Sequence, residues 1–175
     1  FYLWVGAMAP YKRVDIALEA FQRMPDRSLV VIGEGQDASR ARRRASGNVA
    51  FLGRQPDEVV REHYATCRAL VFPGEEDFGI VPLEAQACGR PVIALGRGGA
   101  LETVSDVDAA PEPTGVLFRE QTPEGLIAAI ERFERREKVF DLTALRRNAE
   151  RFSRQRCAHA LGEALERHGW RRRAP

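Results

Sequence analysis

Short runs of consecutive apolar residues recur along the first two thirds of the chain. Their apolar character is continuous, whereas a strand with one solvent-exposed face would alternate apolar and polar positions. Continuous runs are typical of strands that are buried on both faces of a parallel sheet. The pattern therefore predicts six strands, at residues 1–5, 28–32, 49–52, 68–72, 91–95 and 115–118.

The segments between these runs carry apolar residues at helical spacing. Val14, Ala17, Leu18 and Phe21 show this spacing in the first segment. Regular alternation of strands and helices implies right-handed crossovers and predicts an α/β fold, with a doubly wound parallel six-stranded sheet that is Rossmann-like and has C-terminal helices. The later helices are predicted at residues 36–45, 57–66, 82–88, 99–105, 123–135, 143–151 and 154–168.

In a doubly wound sheet, ligands bind outside the carboxyl ends of the strands. The segments that follow the strands should therefore carry the functional residues, and each contains glycine, which lets backbone amides approach a ligand closely. These segments are residues 6–12, 33–35, 53–55, 73–81 and 96–99.

Length and composition indicate one globular domain. The chain has 175 residues, of which 44% are hydrophobic and 30% charged. Three cysteines without metal-ligand spacing favour a reduced, cytoplasmic protein. The opening run at residues 1–5 is too short for a signal peptide or a membrane span, and the missing initiator methionine suggests a fragment without its amino-terminal part.

Basic residues are concentrated near the end of the chain. Residues 119–175 hold 14 Lys and Arg against 9 Asp and Glu, including the run Arg171–Arg173. No recognised nucleic-acid-binding module accompanies them, so a solvated helix face is favoured over a nucleic-acid surface.

Lys12 lies where the first helix begins, two residues after Pro10, which suits a first helical position. A cation at this point opposes the helix dipole unless an anion shares the site. The chain has only two lysines against 25 arginines, so a compact charge is indicated here. A solvated surface lysine remains the alternative.

The segment Gly33–Ala38 resembles the dinucleotide-binding fingerprint, but it lies in the second strand–helix unit and has no acidic residue at the end of the next strand, where Arg54 follows Gly53. We expect Gly33 and Gly35 to line a phosphate or sugar pocket. A tight turn without a ligand, and an NAD(P)-binding domain, remain the alternatives.

Two glutamates, Glu76 and Glu84, flank a glycine turn that follows the fourth strand. Pro82 is predicted to open a helix in which Glu84 is near the third residue, where a carboxylate also stabilises the helix start. Glu76 has no comparable structural role, because it precedes Phe78 in a loop without an evident cap.

Together these segments resemble the carboxyl-terminal domain of glycosyltransferase family 4, whose members are retaining sugar transferases of the GT-B fold. The resemblance spans roughly residues 1–135. It rests on Glu76 and Glu84 with seven residues between them, on Ala85–Ile93, on the turn Gly98–Glu102 and on the Pro-Tyr-Lys-Arg-Val-Asp and Val-Ile-Gly-Glu-Gly segments.

The resemblance implies that residues 1–175 form the sugar-nucleotide binding domain, without the N-terminal acceptor domain. Glu76 would contact the transferred sugar, Lys12 the diphosphate and Glu84 the ribose, with segment 53–55 beside the base. Arg13 would compensate for Ala7, which stands where many relatives have arginine. The donor-binding residues are expected to be Arg13, Gly33, Glu34, Gly35, Gly53, Arg54, Gln55, Phe78, Gly79, Ile80, Val81 and Glu84, with Glu76 and Lys12 as the catalytic residues.

The expected activity is transfer of a hexose, mannose by resemblance, from a GDP- or UDP-linked donor. No metal or other cofactor and no nucleic acid is expected, the full-length enzyme would be cytoplasmic with at most peripheral membrane association, and the isolated chain would be inactive. The alternatives are an NAD(P)-binding domain of an oxidoreductase, a GT-B-like sugar-nucleotide epimerase and a non-catalytic interaction module.

Overall fold

The predicted sheet is confirmed. The computed structural model describes residues 1–168, and these contain a six-stranded parallel sheet in the order β3-β2-β1-β4-β5-β6. The order reverses between β1 and β4, which places the topological switch point at the centre of the sheet. The strands are β1 Tyr2–Val5, β2 Leu29–Ile32, β3 Val49–Gly53, β4 Leu70–Phe72, β5 Val92–Leu95 and β6 Gly115–Phe118.

The predicted helices are all present, with shifted ends. A single turn at Pro10–Lys12 precedes the first of them, so Pro10 does open a helical turn. The α4 helix begins two residues earlier than predicted, and Pro82 is its third residue, where its missing N–H is not needed. The helices are α1 Val14–Gln22, α2 Ala38–Arg44, α3 Asp57–Thr66, α4 Ile80–Ala87, α5 Ala100–Thr103, α6 Pro123–Arg136, α7 Leu142–Glu150 and α8 Arg154–Arg167.

Both faces of the sheet are covered, because successive strand residues point to opposite sides. Tyr2 and Trp4 of β1 pack into the larger hydrophobic cluster, which also contains Phe133 of α6. Leu3 points to the other face and packs into a second cluster that contains Tyr64 of α3. Burial on both faces explains why the strand sequences are continuously apolar.

A charged cluster closes the amino end of the sheet. Glu134 of α6 accepts hydrogen bonds from Tyr2 Oη at 2.8 Å, from Arg27 at 2.7 and 3.1 Å and from Arg68 at 3.1 Å. The Arg27 hydrogen bond, opposed by partial burial, lowers the pKa of Glu134 below its usual 4.5. The native state therefore binds fewer protons than the unfolded chain near that pH, and this stabilisation is lost as the pH falls through the folded pKa.

The terminal helices differ in how they are held. Asn148 of α7 donates to the Gln86 side chain at 2.7 Å and to the carbonyl of Thr103 at 2.9 Å, which fastens α7 to α4 and α5. In contrast, α8 buries no residue, and Leu161 is 61% exposed. No helix within residues 1–168 is both long and apolar enough to span a membrane. The Arg171–Arg173 run lies outside the described residues.

Candidate functional site at the carboxyl edge of the sheet

The loops after β1 and β4 meet through an ion pair. Lys12, at the end of the Pro10–Lys12 turn, binds the carboxylate of Glu76 in the β4–α4 loop. The two side chains are only 13% and 16% exposed. The anion required beside Lys12 is therefore a residue of the chain itself, and the solvated-lysine alternative does not describe this side chain.

The Glu76 loop rests on the turn that follows β5. The amide of Gly99 donates to the carbonyl of Glu76 at 2.8 Å. A Cβ on Gly98, whose φ is +55°, would overlap that same carbonyl oxygen. The Gly-Gly sequence is thus needed for close packing beneath the loop, and it fixes the height of Glu76 above the sheet.

Glu84 lies on α4, near the Glu76 loop in sequence but in a different environment. It is the fifth residue of the helix and not the third, and the first turn of α4 contains no acidic residue. The predicted helix-start position is therefore wrong, because α4 begins at Ile80. The Glu84 side chain is exposed and accepts a hydrogen bond at 3.0 Å from the hydroxyl of Tyr64 on α3. Glu84 is thus available to a ligand.

A cleft of about 280 Å³ lies between α3 and α4 beside this carboxylate. The sequence analysis did not predict the other polar side chains of this cleft. Tyr64 fits the apolar positions of the α3 helical pattern, and Asp57 and Arg61 resemble ordinary surface residues of a helix, so none of them carries a signal of its own. The lining residues are Asp57, Val60, Arg61, Tyr64, Glu84, Ala87 and Cys88.

The first turn of α4 has backbone amides that no side chain caps. Gly79 is the N-cap with a φ of +77°. Phe78 is 40% exposed and Ile80 is 64% exposed, whereas Val81 is half-buried. The amides of Ile80 and Val81 lie in the first turn, where the helix dipole favours an anion.

The loops after β1, β2 and β3 form one hydrogen-bonded platform. The amide of Met8 donates to the carbonyl of Glu34 at 2.9 Å, and the amide of Gly33 donates to the carbonyl of Gly53 at 2.8 Å. A Cβ on Gly33 would overlap the carbonyl oxygen of Gly6, and its φ is +133°. Close packing between the loops is therefore sufficient to explain why residue 33 is glycine, without a ligand. Gly35 is similarly placed against the backbone of Met8.

The remaining predicted residues are partly engaged with the protein. Arg13 makes hydrogen bonds of 3.0 and 3.1 Å to Asp15. Gln55 donates to the carbonyl of Leu52 at 2.6 Å, Glu34 pairs with Arg42, and Arg54 is exposed. Arg13 is thus already neutralised by Asp15, which weakens its candidacy as a substitute phosphate cation.

Residues 1–168 contain no group of three or more His, Cys, Asp or Glu side chains placed to hold a metal ion. The site presents the Lys12–Glu76 ion pair, the exposed carboxylate of Glu84 and the first-turn amides of α4, which no side chain caps. This arrangement suits an anionic ligand that also carries hydroxyl groups. Comparison with known proteins decides the family. The model of the glycosyl transferases group 1 family matches residues 1–156. The chain belongs to this family.

Curated relatives of the group 1 domain are glycosyltransferases. The D-inositol 3-phosphate glycosyltransferase of Geodermatophilus obscurus is 34% identical over 91% of the chain, which covers 38% of that protein. A GDP-mannose-dependent mannosyltransferase that acts on a monoacylated phosphatidylinositol monomannoside, from Corynebacterium glutamicum, is 38% identical over 56% of the chain and 30% of its own length. The chain thus spans well under half the length of these relatives.

Solved structures show the same fold. Anabaena HepE in complex with UDP and glucose has a TM-score of 0.79 at 21% identity, over 95% of this chain and 48% of that one. Sucrose-phosphate synthase from Thermosynechococcus elongatus has a TM-score of 0.79 at 26% identity, over 95% and 44%. The group 1 domain therefore has the Rossmann-like fold of one half of a GT-B glycosyltransferase. The alternative of an NAD(P)-binding domain of an oxidoreductase is not favoured.

Proposed function

We propose that the chain is the donor-binding domain of a retaining, family 4 type hexosyltransferase that uses a nucleoside-diphosphate sugar. The observation that carries the proposal is the ion pair at the sheet edge between Lys12, which follows β1, and Glu76, which follows β4. The segment that holds Glu76 leads directly into α4, which no side chain caps and which carries the exposed carboxylate of Glu84. A sugar nucleotide offers a matching sequence of groups: a sugar, a diphosphate and a ribose.

In the proposed complex, Lys12 and the amides of Ile80 and Val81 bind the diphosphate. Glu84 accepts hydrogen bonds from the ribose hydroxyls, and Glu76 from hydroxyls of the transferred sugar. The bond between the anomeric carbon and the phosphate oxygen breaks, and its electron pair remains on the nucleoside diphosphate. Lys12 and the helix amides stabilise the negative charge that develops there.

A nucleoside diphosphate is a good leaving group, so the protein needs no strong general acid, in contrast to glycoside hydrolysis. We propose that the acceptor hydroxyl attacks from the same face as the departing phosphate. Its oxygen forms the new bond to the anomeric carbon, and its proton passes to the phosphate oxygen. Both glutamates then position the donor and do not carry protons. We expect donor binding in this site to be unaffected by EDTA, since no step requires a metal.

We place GDP-mannose first among the donors. A GDP-mannose-dependent relative supports this choice, as does the chemistry of the α3–α4 cleft, where Asp57 and Arg61 lie with Glu84. Guanine offers an amino donor to a carboxylate and its O6 and N7 acceptors to an arginine. Uracil has no amino group, so Asp57 would favour guanine over uracil.

The acceptor site is proposed to lie in a separate N-terminal domain of the whole, cytoplasmic enzyme, with at most peripheral contact to the inner face of the membrane. Alone, the 175-residue chain is expected to bind donor weakly and to transfer little sugar, because half of the cleft is supplied by that domain.

Titration of the chain with GDP-, UDP- and ADP-sugars, the free nucleotides and NAD(P) tests the proposal by thermal shift and calorimetry. We expect stabilisation by GDP-mannose or GDP, and its loss in Glu84→Ala. Stabilisation by NAD(P) alone would overturn the proposal. Nucleotide binding that survives Glu84→Ala would instead support a non-catalytic module.

A further inference from the structure

Tyr64 joins two helices through a single polar contact. The residue is 3% exposed, and its ring packs in the hydrophobic cluster that contains Leu3 and Leu70. Its hydroxyl reaches out of this cluster and donates to Glu84 Oε2 at 3.0 Å. A phenylalanine would fill the same apolar volume, so packing alone does not account for the hydroxyl.

The direction of this hydrogen bond is fixed by the surroundings of Tyr64. Burial raises the pKa of the phenol, and the neighbouring negative charge of Glu84 raises it further. The hydroxyl therefore remains protonated at physiological pH and acts as the donor, while the carboxylate accepts.

The Glu84 carboxylate has few other constraints. Within residues 1–168, Tyr64 is the one side chain that hydrogen-bonds it, and Glu84 makes no salt bridge there. An exposed glutamate on a helix ordinarily samples many rotamers, and ordering it on ligand binding costs entropy. The Tyr64 contact holds one rotamer beside the α3–α4 cleft and occupies Oε2, so Oε1 and the second lone pair of Oε2 remain for a ligand.

We propose that Tyr64 is a positioning residue, which holds the Glu84 carboxylate in the orientation that accepts hydrogen bonds from the ribose diol of the donor. The inference rests on the proposed function, since it names how the nucleoside part of that same donor is recognised. Tyr64 acts through Glu84, while its ring stays packed in the hydrophobic cluster.

Tyr64→Phe removes the hydroxyl and keeps the ring. Calorimetry should compare GDP with 2′,3′-dideoxy-GDP, or UDP with its dideoxy analogue if UDP binds more tightly. We expect Tyr64→Phe to weaken binding of the ribonucleotide about 10-fold, the lower end of the range for one hydrogen bond to a charged group, and to change binding of the dideoxy analogue less than about 2-fold. In the Glu84→Ala background, Tyr64→Phe should have no further effect.

Tyr2→Phe is the matched control. Tyr2 is also buried and also donates to a glutamate, Glu134, but at the amino end of the sheet. This variant should lower stability without changing nucleotide affinity. Equal weakening of the ribonucleotide and the dideoxy analogue by Tyr64→Phe, or no weakening of either, would overturn the positioning role. Failure of the unsubstituted chain to bind any nucleoside diphosphate would instead refute the proposed function and, with it, the inference.

Discussion

The Lys12–Glu76 pair makes a prediction whose sign is unusual: Glu76→Gln should tighten binding of a free nucleoside diphosphate. In the ligand-free domain the Lys12 ammonium is bound to the Glu76 carboxylate. A diphosphate that binds Lys12 must weaken this pair and must approach a second anion. Glutamine keeps the size and hydrogen-bonding oxygen of the side chain but removes the competing charge.

The magnitude follows from the burial of the pair. Fully exposed ion pairs contribute about 0.2–1 kcal/mol, and removing one partner of a buried pair costs about 3–5 kcal/mol. The side chains are 13% and 16% exposed, so the pair lies between these limits. We therefore take about 1–2 kcal/mol as the free energy with which Glu76 opposes diphosphate binding to Lys12. Glu76→Gln should therefore increase GDP affinity about 5- to 30-fold. Lys12→Met should weaken it by about 10-fold or more, because a charge-assisted hydrogen bond to phosphate is lost.

Isothermal titration calorimetry with GDP, guanosine and GDP-mannose measures these effects at one ionic strength. Guanosine binding should be unchanged by either substitution, since it has no phosphate. GDP-mannose should gain less from Glu76→Gln than GDP gains, because the carboxylate contacts to the sugar are lost. If Glu76→Gln weakens GDP binding as Lys12→Met does, then Glu76 orients Lys12 for the phosphate. That result would refute the argument that Glu76 competes with the diphosphate for Lys12.

Three further predictions follow from other parts of the structure. Gly33→Ala should lower the free energy of unfolding, measured in urea, by about 2–4 kcal/mol, because its Cβ would overlap the Gly6 carbonyl. Gly47→Ala is the control, since its Cβ would have no neighbour within 4 Å, and an equal loss of stability in both variants would contradict the packing argument. Glu134→Gln should be less stable than wild type at pH 7 by about 1–3 kcal/mol, and the two should converge as the pH falls well below 4.5; a difference that persists in acid would exclude the ionised carboxylate as its source. Asp57→Asn should weaken GDP binding about 5- to 10-fold in calorimetry while leaving UDP binding nearly unchanged. Equal losses of affinity for GDP and UDP would show that Asp57 does not select the base.

Most of the fold could be predicted from local pattern. Strands such as β2 are continuously apolar because helices cover both faces of the sheet, and that burial leaves a direct mark on the sequence. The start of α4 was harder to locate, because Pro82 is compatible with either the first or the third helical position. The resulting two-residue shift moved Glu84 out of the first turn and removed the helix-start explanation for it.

The sequence by itself determined the parallel sheet and the family, and it predicted the edge that carries the candidate site, because periodicity and motif spacing are local properties of the chain. Only the tertiary structure decided which groups meet. It paired Lys12 with Glu76, 64 residues apart, and Tyr64 with Glu84, 20 residues apart. These contacts depend on how loops and helices from different strand–helix units are brought together above the sheet, and no one segment specifies that arrangement.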